Sequence, residues 1–356
     1  MTVSVSALDS SDISAECAVL ISQQTGEVIF KKNAYKHHSM ASTTKIMTSL
    51  LAAQSGKLHD EITVSKEMIL VEGTSMGLLP GDSVSLYELI YGMLLPSGND
   101  AANVTAYYLG GNVENFVKKM NAKAKEIGME NTNFVTPSGL DDEMHYSTAY
   151  DMALLGRYAV GDPVFRSVCS SKKASLSYGN PPYKRTLYNH NRLLESYKYA
   201  LGIKTGFTKK SGRCLVSYAE KDGTGLIAVT LNAPNDWNDH KLMLDFGFSK
   251  LKRYVFKPVI PEYMNVVGGN VENLKISCEQ FEYDSLEHRN VIQKLVIEKF
   301  AYAPIKKGDK LGEAMLYLDG SYIGSTDICA AEDVGLLIQK QEEKSFFQRI
   351  KERFLK

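Results

Sequence analysis

Apolar positions change period along this chain, and the changes divide it. In CAVLISQQTGEVIF two β-rich runs flank Thr25-Gly26, which predicts a hairpin. STTKIMTSLLAAQSG then places Ile46, Met47, Leu50 and Leu51 at helical spacing, with Gly56 near its end. Four more helical stretches follow: SLYELIYGMLL, halted by Pro96; NDAANVTAYYLGG, with Asp100 in its first turn and Gly110-Gly111 as its stop; VENFVKKMNAKAKEIGM; and STAYDMALLGRYAV. The texture then becomes β. ALGIKTGFT and RCLVSYAEKDGTGLIAVTLNA read as three strands, with Asp222-Gly223 as the tight turn between the last two. A hairpin, a run of helices and late antiparallel strands make an α+β plan in which the first and last segments share one sheet.

Near Pro258 and Pro261 helical signal fades, and short strand candidates such as VVGGN and KKGDKLGEAMLYLDGSYIGSTDI predict a second, smaller all-β domain. The last stretch, KQEEKSFFQRIKERFLK, is basic and amphipathic. Phe346, Phe347, Ile350, Phe354 and Leu355 gather on one side, and Lys344, Arg349, Lys351, Arg353 and Lys356 surround them. That is the pattern of a helix lying in a lipid headgroup layer; a helix docked on its own β-domain is the competing reading. The boundaries are therefore 1–14 for an N-terminal segment, 15–257 for the main domain, 258–339 for the β-rich domain and 340–356 for the tail.

Composition narrows the function classes. The 356 residues carry no net formal charge, which argues against a dedicated nucleic-acid binder. The five cysteines, Cys17, Cys169, Cys214, Cys278 and Cys329, form no CxxC pair and no disulfide framework. No run of 18 apolar residues exists, so no segment spans a membrane by itself. The N-terminus lacks the basic and apolar regions of an intact signal peptide. It fits either a cytoplasmic chain or a numbering that starts after a removed export signal.

Three short motifs bring chemistry. Ser42 and Lys45 are one helical turn apart, so they share a face. A serine hydroxyl needs a base to become a nucleophile, and a lysine serves when burial or a second cation lowers its pKa. The S-x-x-K spacing alone is weak: it recurs at Ser170 with Lys173 and at Ser249 with Lys252, and a serine at a helix start is more often a cap. Ser97-Gly98-Asn99 lies between two helix candidates, where a turn is the plain alternative. Lys204-Thr205-Gly206 sits on a late strand, where a glycine bulge is the plain alternative. The order S-x-x-K, S-x-N, K-T-G is the signature set of penicillin-binding proteins and β-lactamases.

With these motifs, and with MASTTKIMT, LLPSGNDAAN, TPSGLDDEMHYSTAYDMALL, NHNRLL and GIKTGFT in the same order, the chain resembles the serine D-Ala-D-Ala carboxypeptidases, the low-molecular-weight penicillin-binding proteins. The likeness covers roughly Ala15 to Tyr254. It implies a β-lactamase/transpeptidase-like α+β domain, an antiparallel sheet with a helical cluster, followed by a small all-β domain. It implies an enzyme that removes the terminal D-Ala from peptidoglycan stem pentapeptides and is acylated by β-lactams, on the outer face of a bacterial cytoplasmic membrane, with no cofactor and no metal. By this likeness Ser42 is the nucleophile, Lys45 its base and Ser97 the proton relay. Asn99 would hold the acyl side chain, and Lys204, Thr205 and Gly206 would bind substrate. The backbone N–H groups of Ser42 and Phe207 would form the oxyanion hole, such donors being worth about 3–4 kcal/mol each.

Some members of that family bind the terminal carboxylate with an arginine in the loop after the next strands. NAPNDWNDHK, read here as that loop, has none, so either His240 or Lys241 substitutes or Lys204 and Thr205 suffice. His37 and His38 read as a solvated loop pair, and Asp141, Asp142 and His145 as a polar loop near the cleft rather than a metal site. Two other functions share the motifs. A β-lactamase would need its own deacylation base, and no E-x-x-x-N element stands out between Ser97 and Lys204. A non-catalytic peptidoglycan-binding protein would hold the peptide without turning it over.

Overall fold

The computed structural model describes residues 8–338. The predicted amphipathic tail, Lys344 to Lys356, lies outside the described residues. The chain forms two compact units. Among the described residues the first comprises 8–253 and Asp284–His288, and the second Tyr254–Tyr283 and 289–338.

In the first unit the elements are β1 (Cys17–Ser22), β2 (Val28–Lys32), α1 (Lys45–Ala53), β3 (Glu61–Thr63), β4 (Ser83–Ser85), α2 (Leu86–Leu94), α3 (Asn99–Gly110), α4 (Val113–Ile127), α5 (Ala149–Ala159) and α6 (Pro163–Cys169). They continue with β5 (Lys173–Gly179), β6 (Pro182–Tyr188), α7 (Leu193–Ser196), β7 (Ala200–Thr208), β8 (Gly212–Lys221), β9 (Thr224–Leu231) and α8 (Asp236–Lys250). The hairpin and the late strands share one antiparallel sheet in the order β2-β1-β9-β8-β7. Its two faces are both buried, which explains why CAVLIS is continuously apolar instead of alternating. Cys17, Val19 and Ile21 face the helical cluster with Val216 and Ile227. Ala18 and Leu20 face the other way, against Met243 and Leu244 of α8. Strand β7 ends the sheet, so among the described residues its outer edge has no strand partner.

The helix starts follow their sequences. Ser85 and Glu88 form a capping box for α2, Asn112 caps α4 and Thr148 caps α5 through their side chains. Two elements depart from expectation. NAPNDWNDHK is not a loop: Asn235 stands at the N-cap of the 15-residue helix α8, and that helix covers the second face of the sheet. Residues 173–188, without a distinct pattern in sequence, pair as the hairpin β5–β6.

The second unit is all β. The strands β10 (Lys252–Phe256) and β13 (Phe281–Ser285) pair as a two-stranded sheet, and β11 (Tyr263–Val267), β12 (Asn273–Cys278), β14 (Val291–Ile297), β15 (Phe300–Tyr302), β16 (Lys310–Leu318) and β17 (Ser321–Ala330) form one sheet, ordered β14-β16-β17-β12-β11-β15. Its core is built from alternate residues such as Leu274 and Ile276 of β12 and Ile328 and Ala330 of β17. Among the described residues, no helix is long and apolar enough to cross a membrane.

Candidate active site

The chain enters α1 through a 3₁₀ turn, Ala41–Thr44, that carries Ser42. Ala41 has φ +46°, a left-handed conformation that costs a residue with a Cβ about 1–2 kcal/mol. The turn is held by its neighbours. Thr44 Oγ1 donates to the Ala41 carbonyl at 2.8 Å and also meets His145 Nε2 at 2.8 Å. His145 Nδ1 accepts the Val135 N–H at 2.9 Å, so the ring's own proton sits on Nε2 and points at Thr44. Burial lowers the His145 pKa to about 4, which keeps the ring neutral. The polar loop of Asp141, Asp142 and His145 thus has a structural role: Asp141 accepts from Thr208 Oγ1, Asp142 from Met144 N, and His145 braces the turn before the nucleophile.

Lys45 is completely buried and has three partners: Ser42 Oγ at 2.9 Å, Asn99 Oδ1 at 2.6 Å and the Ser138 carbonyl at 2.7 Å. Two of these can only accept hydrogen bonds. An ammonium would donate to all three, and a neutral amine fits as well, with its two hydrogens on the two carbonyl oxygens and its lone pair free to take the Ser42 hydroxyl proton. The electrostatics favour that form. Burial, and then the Lys204 charge, push the Lys45 pKa well below the usual lysine range, while Asp100 opposes them. The other two S-x-x-K pairs lack this arrangement. Ser170 and Ser249 sit at the ends of α6 and α8, where their hydroxyls bond Ser167 O and Phe246 O, and their lysines have left the helix for β5 and β10.

Ser97 occupies the turn between α2 and α3 with φ +66°, a second left-handed residue with a Cβ. Thr74 fixes it from both sides. Its Oγ1 donates to Ser97 O at 2.6 Å, and its carbonyl accepts Asn99 N at 2.7 Å. Asp100 ties the same segment down by accepting from Met76 N, Gly77 N, Leu78 N and Ser75 Oγ. Asn99 is satisfied within the protein: Oδ1 holds Lys45, and Nδ2 donates to Glu72 O at 2.6 Å.

Strand β7 closes the other side. A Cβ at Gly206 would lie a tight 3.1 Å from Met40 O and from Ser42 N, so the strand backbone passes directly beside the nucleophile's own N–H. Lys204 is 1% exposed, and burial lowers its pKa to about 7.

A cleft of about 540 Å³ opens over these groups, lined by Ser42, Ser97, Thr205, Gly206 and Phe207 among others. Lys45, Asn99 and Lys204 are buried behind its wall. The sequence reading therefore converges on one place. Its substitute for a carboxylate anchor does not: His240 is fully buried in α8 against Thr230 Oγ1, with a pKa lowered to about 3 by burial, and neither it nor Lys241 lines the cleft. His37 stacks on Tyr146 and His38 lies near Glu16, also away from the cleft lining. The residues missed in the sequence are Thr74, Asp100, Arg192, Arg213 and Trp237. Among the described residues, no group of His, Cys, Asp and Glu is arranged to hold a metal ion.

Comparison with known proteins identifies the family and the fold. The family profile described as D-alanyl-D-alanine carboxypeptidase matches residues 2–235, and that of the penicillin-binding protein 5 C-terminal domain matches residues 259–336. The chain is 35% identical over 339 residues to D-alanyl-D-alanine carboxypeptidase DacF of Bacillus subtilis, covering 90% of this chain and 86% of the relative. It is 31% identical over 373 residues to D-alanyl-D-alanine carboxypeptidase DacC of Escherichia coli, covering 96% and 88%. Among solved structures, penicillin binding protein 5 from Haemophilus influenzae superposes with a TM-score of 0.66 at 28% identity, covering 91% of this chain and 98% of that one. The Streptomyces K15 DD-transpeptidase gives a TM-score of 0.64 at 31% identity, covering 67% and 98%.

Proposed function

The chain belongs to the D-alanyl-D-alanine carboxypeptidase family, and we propose that it removes the terminal D-Ala of peptidoglycan stem pentapeptides through an acyl-enzyme on Ser42. The observation that carries this reading is the 2.9 Å contact between Lys45 Nζ and Ser42 Oγ, with the remaining partners of Lys45 both carbonyl oxygens.

Neutral Lys45 takes the Ser42 hydroxyl proton as Oγ attacks the carbonyl carbon of the penultimate D-Ala. The resulting oxyanion is held by the N–H groups of Ser42 and Phe207, a pairing supported by the close passage of Gly206 beside Ser42 N. The proton on Lys45 then passes through Ser97 to the leaving amine, and free D-Ala departs. Water next attacks the ester, with Lys45 again as base, and Ser42 regains its hydrogen. Asn99 orients Lys45 and exchanges Glu72 O for the substrate's amide carbonyl, while Thr205 and Gly206 line the substrate's path and Lys204 lies buried behind them. The unpaired edge of β7 supports main-chain pairing with an extended peptide, the recognition that a tail with only methyl side chains requires. A β-lactam follows the same first step and its opened ring remains on Ser42.

A β-lactam should add one drug mass to a peptide containing Ser42, and a Ser42→Ala chain should acquire none. Release of D-Ala from an acyl-D-Ala-D-Ala peptide separates this reading from a binding protein, and slow loss of the drug adduct separates it from a β-lactamase.

The family works outside the cytoplasm at the cell wall, and we place this chain on the outer face of the membrane, held by the basic tail. The charge and apolar pattern of Lys344–Lys356 supports that position. Full-length protein should co-sediment with vesicles containing anionic lipid, and a chain ending at Glu343 should stay in solution with its β-lactam acylation intact. Equal sedimentation of the two would rule this anchor out.

A further inference from the structure

A substrate whose last group is a carboxylate needs a cation near the leaving side of the cleft, and the cleft holds three candidates, none of them in α8. Lys204 is buried, its Nζ donates to Thr205 O at 2.8 Å, and its charge acts on Lys45. Arg192 lines the cleft but is exposed, with no ion pair or hydrogen bond fixing its guanidinium among the described residues. Arg213 differs from both. It lies on β8 directly opposite Phe207 of β7, so the antiparallel register puts its side chain on the same sheet face as Thr205, one pleat away. Its Nε and Nη2 donate to Asp236 Oδ1 at 3.0 and 2.8 Å, and its guanidinium packs 5.4 Å from the Trp237 ring. Asp236 is itself 2% exposed and takes the Trp237 N–H on the same oxygen, so the acid that grips the arginine is immobile. The grip uses one edge of the guanidinium and leaves Nη1 without a partner among the described residues, in a side chain that is 41% exposed to the cleft.

We propose that Arg213, fixed in place by Asp236 and Trp237, receives the terminal carboxylate of the substrate together with the Thr205 hydroxyl, and so sets the preference for a free chain end. The proposal rests on the acyl-enzyme reading above for the placement of the substrate. The Arg213–Asp236 pair is close to neutral overall, so its contribution is a set of directed N–H donors whose geometry matches a planar carboxylate, with little long-range attraction. The same carboxylate recognition extends to penicillins, which carry an acid at the corresponding end of the ring system.

The test uses two reactive thioesters of one acyl-D-alanine, one with a thioglycolate leaving group that bears a carboxylate and one with a neutral ethanethiol leaving group. Both need Ser42, and only the first needs an anion site. In Arg213→Gln, kcat/KM for the thioglycolate ester should fall about 10- to 100-fold, the range for a lost charged hydrogen bond, while the ethanethiol ester is unchanged. Arg213→Lys keeps the charge but not the fork, and its preference for the acid should be intermediate. If Arg213 only anchors α8 through Asp236, both esters will fall by the same factor and the proposal fails. It fails as well if the acid preference of either variant equals that of the native chain. The neutral ester separates this from failure of the Ser42 reading, because Ser42→Ala must abolish both reactions.

Discussion

At the scale of one residue, the site depends on the charge state of Lys45. A lysine in water is protonated far above neutral pH, and a protonated Lys45 has no lone pair for the Ser42 proton. Burial and the nearby Lys204 move its pKa well below the usual range, so the amine loses its proton at a lower pH than a free lysine would. The acylation rate should rise with pH as Lys45 deprotonates, and the midpoint of that acid limb should lie well below the ordinary lysine value of 10.5. Lys45→Arg should lose essentially all acylation, since a guanidinium cannot give up its proton at working pH. Stopped-flow measurement with a chromogenic β-lactam checks both, and an active arginine variant would refute the base role. Arg213 shows the limit of reading at this scale. A single arginine in a strand carries no motif, and its place at the cleft follows from the pairing of Phe207 with Arg213, which sequence alone did not provide.

At the scale of elements, the cleft wall is a segment strapped to a helix start. Asp100, in the first turn of α3, accepts four hydrogen bonds from 75–78, and Thr74 beside them holds Ser97 and Asn99. Asp100→Ala leaves the buried N–H groups of Met76 and Leu78 unsatisfied. It should cost about 3 kcal/mol, seen as a melting temperature lower by about 6–12 °C, and should slow acylation because Ser97 loses its support. Unchanged acylation in a folded, destabilised variant would show that the strap serves stability alone. The helices α1 to α5 were legible because most of their buried positions are apolar. Helix α8 was not, since half of its buried positions are Asp236, Asp239 and His240, and a buried stripe so rich in polar groups gives no apolar period. The hairpin β5–β6 escaped for the opposite reason, its residues being mostly exposed or half-exposed on both faces.

At the scale of the whole molecule, every group proposed for the chemistry belongs to the first unit, and that unit also includes a short piece of later sequence. Ser285 Oγ and Leu286 N donate to Glu27 Oε2, and Asp284 pairs with Arg253. A chain ending at Tyr254 keeps the cleft but loses these partners. It should still be acylated by a β-lactam at Ser42, yet melt lower than the native chain by an amount corresponding to about 1–3 kcal/mol; a folded truncation that takes no drug would place part of the site in the later sequence. The order of the three motifs was enough to find the cleft because all of its chemistry comes from one unit. The unpaired outer edge of β7 has one more consequence. A bare strand edge is ordinarily where a protein adheres to copies of itself, since any extended backbone satisfies it. In this chain the motif segment of that edge lines the cleft, together with Ser97 and Thr74. A strand from a second copy could use that segment only by entering the cleft, so the feature that holds a substrate peptide also limits adhesion between copies.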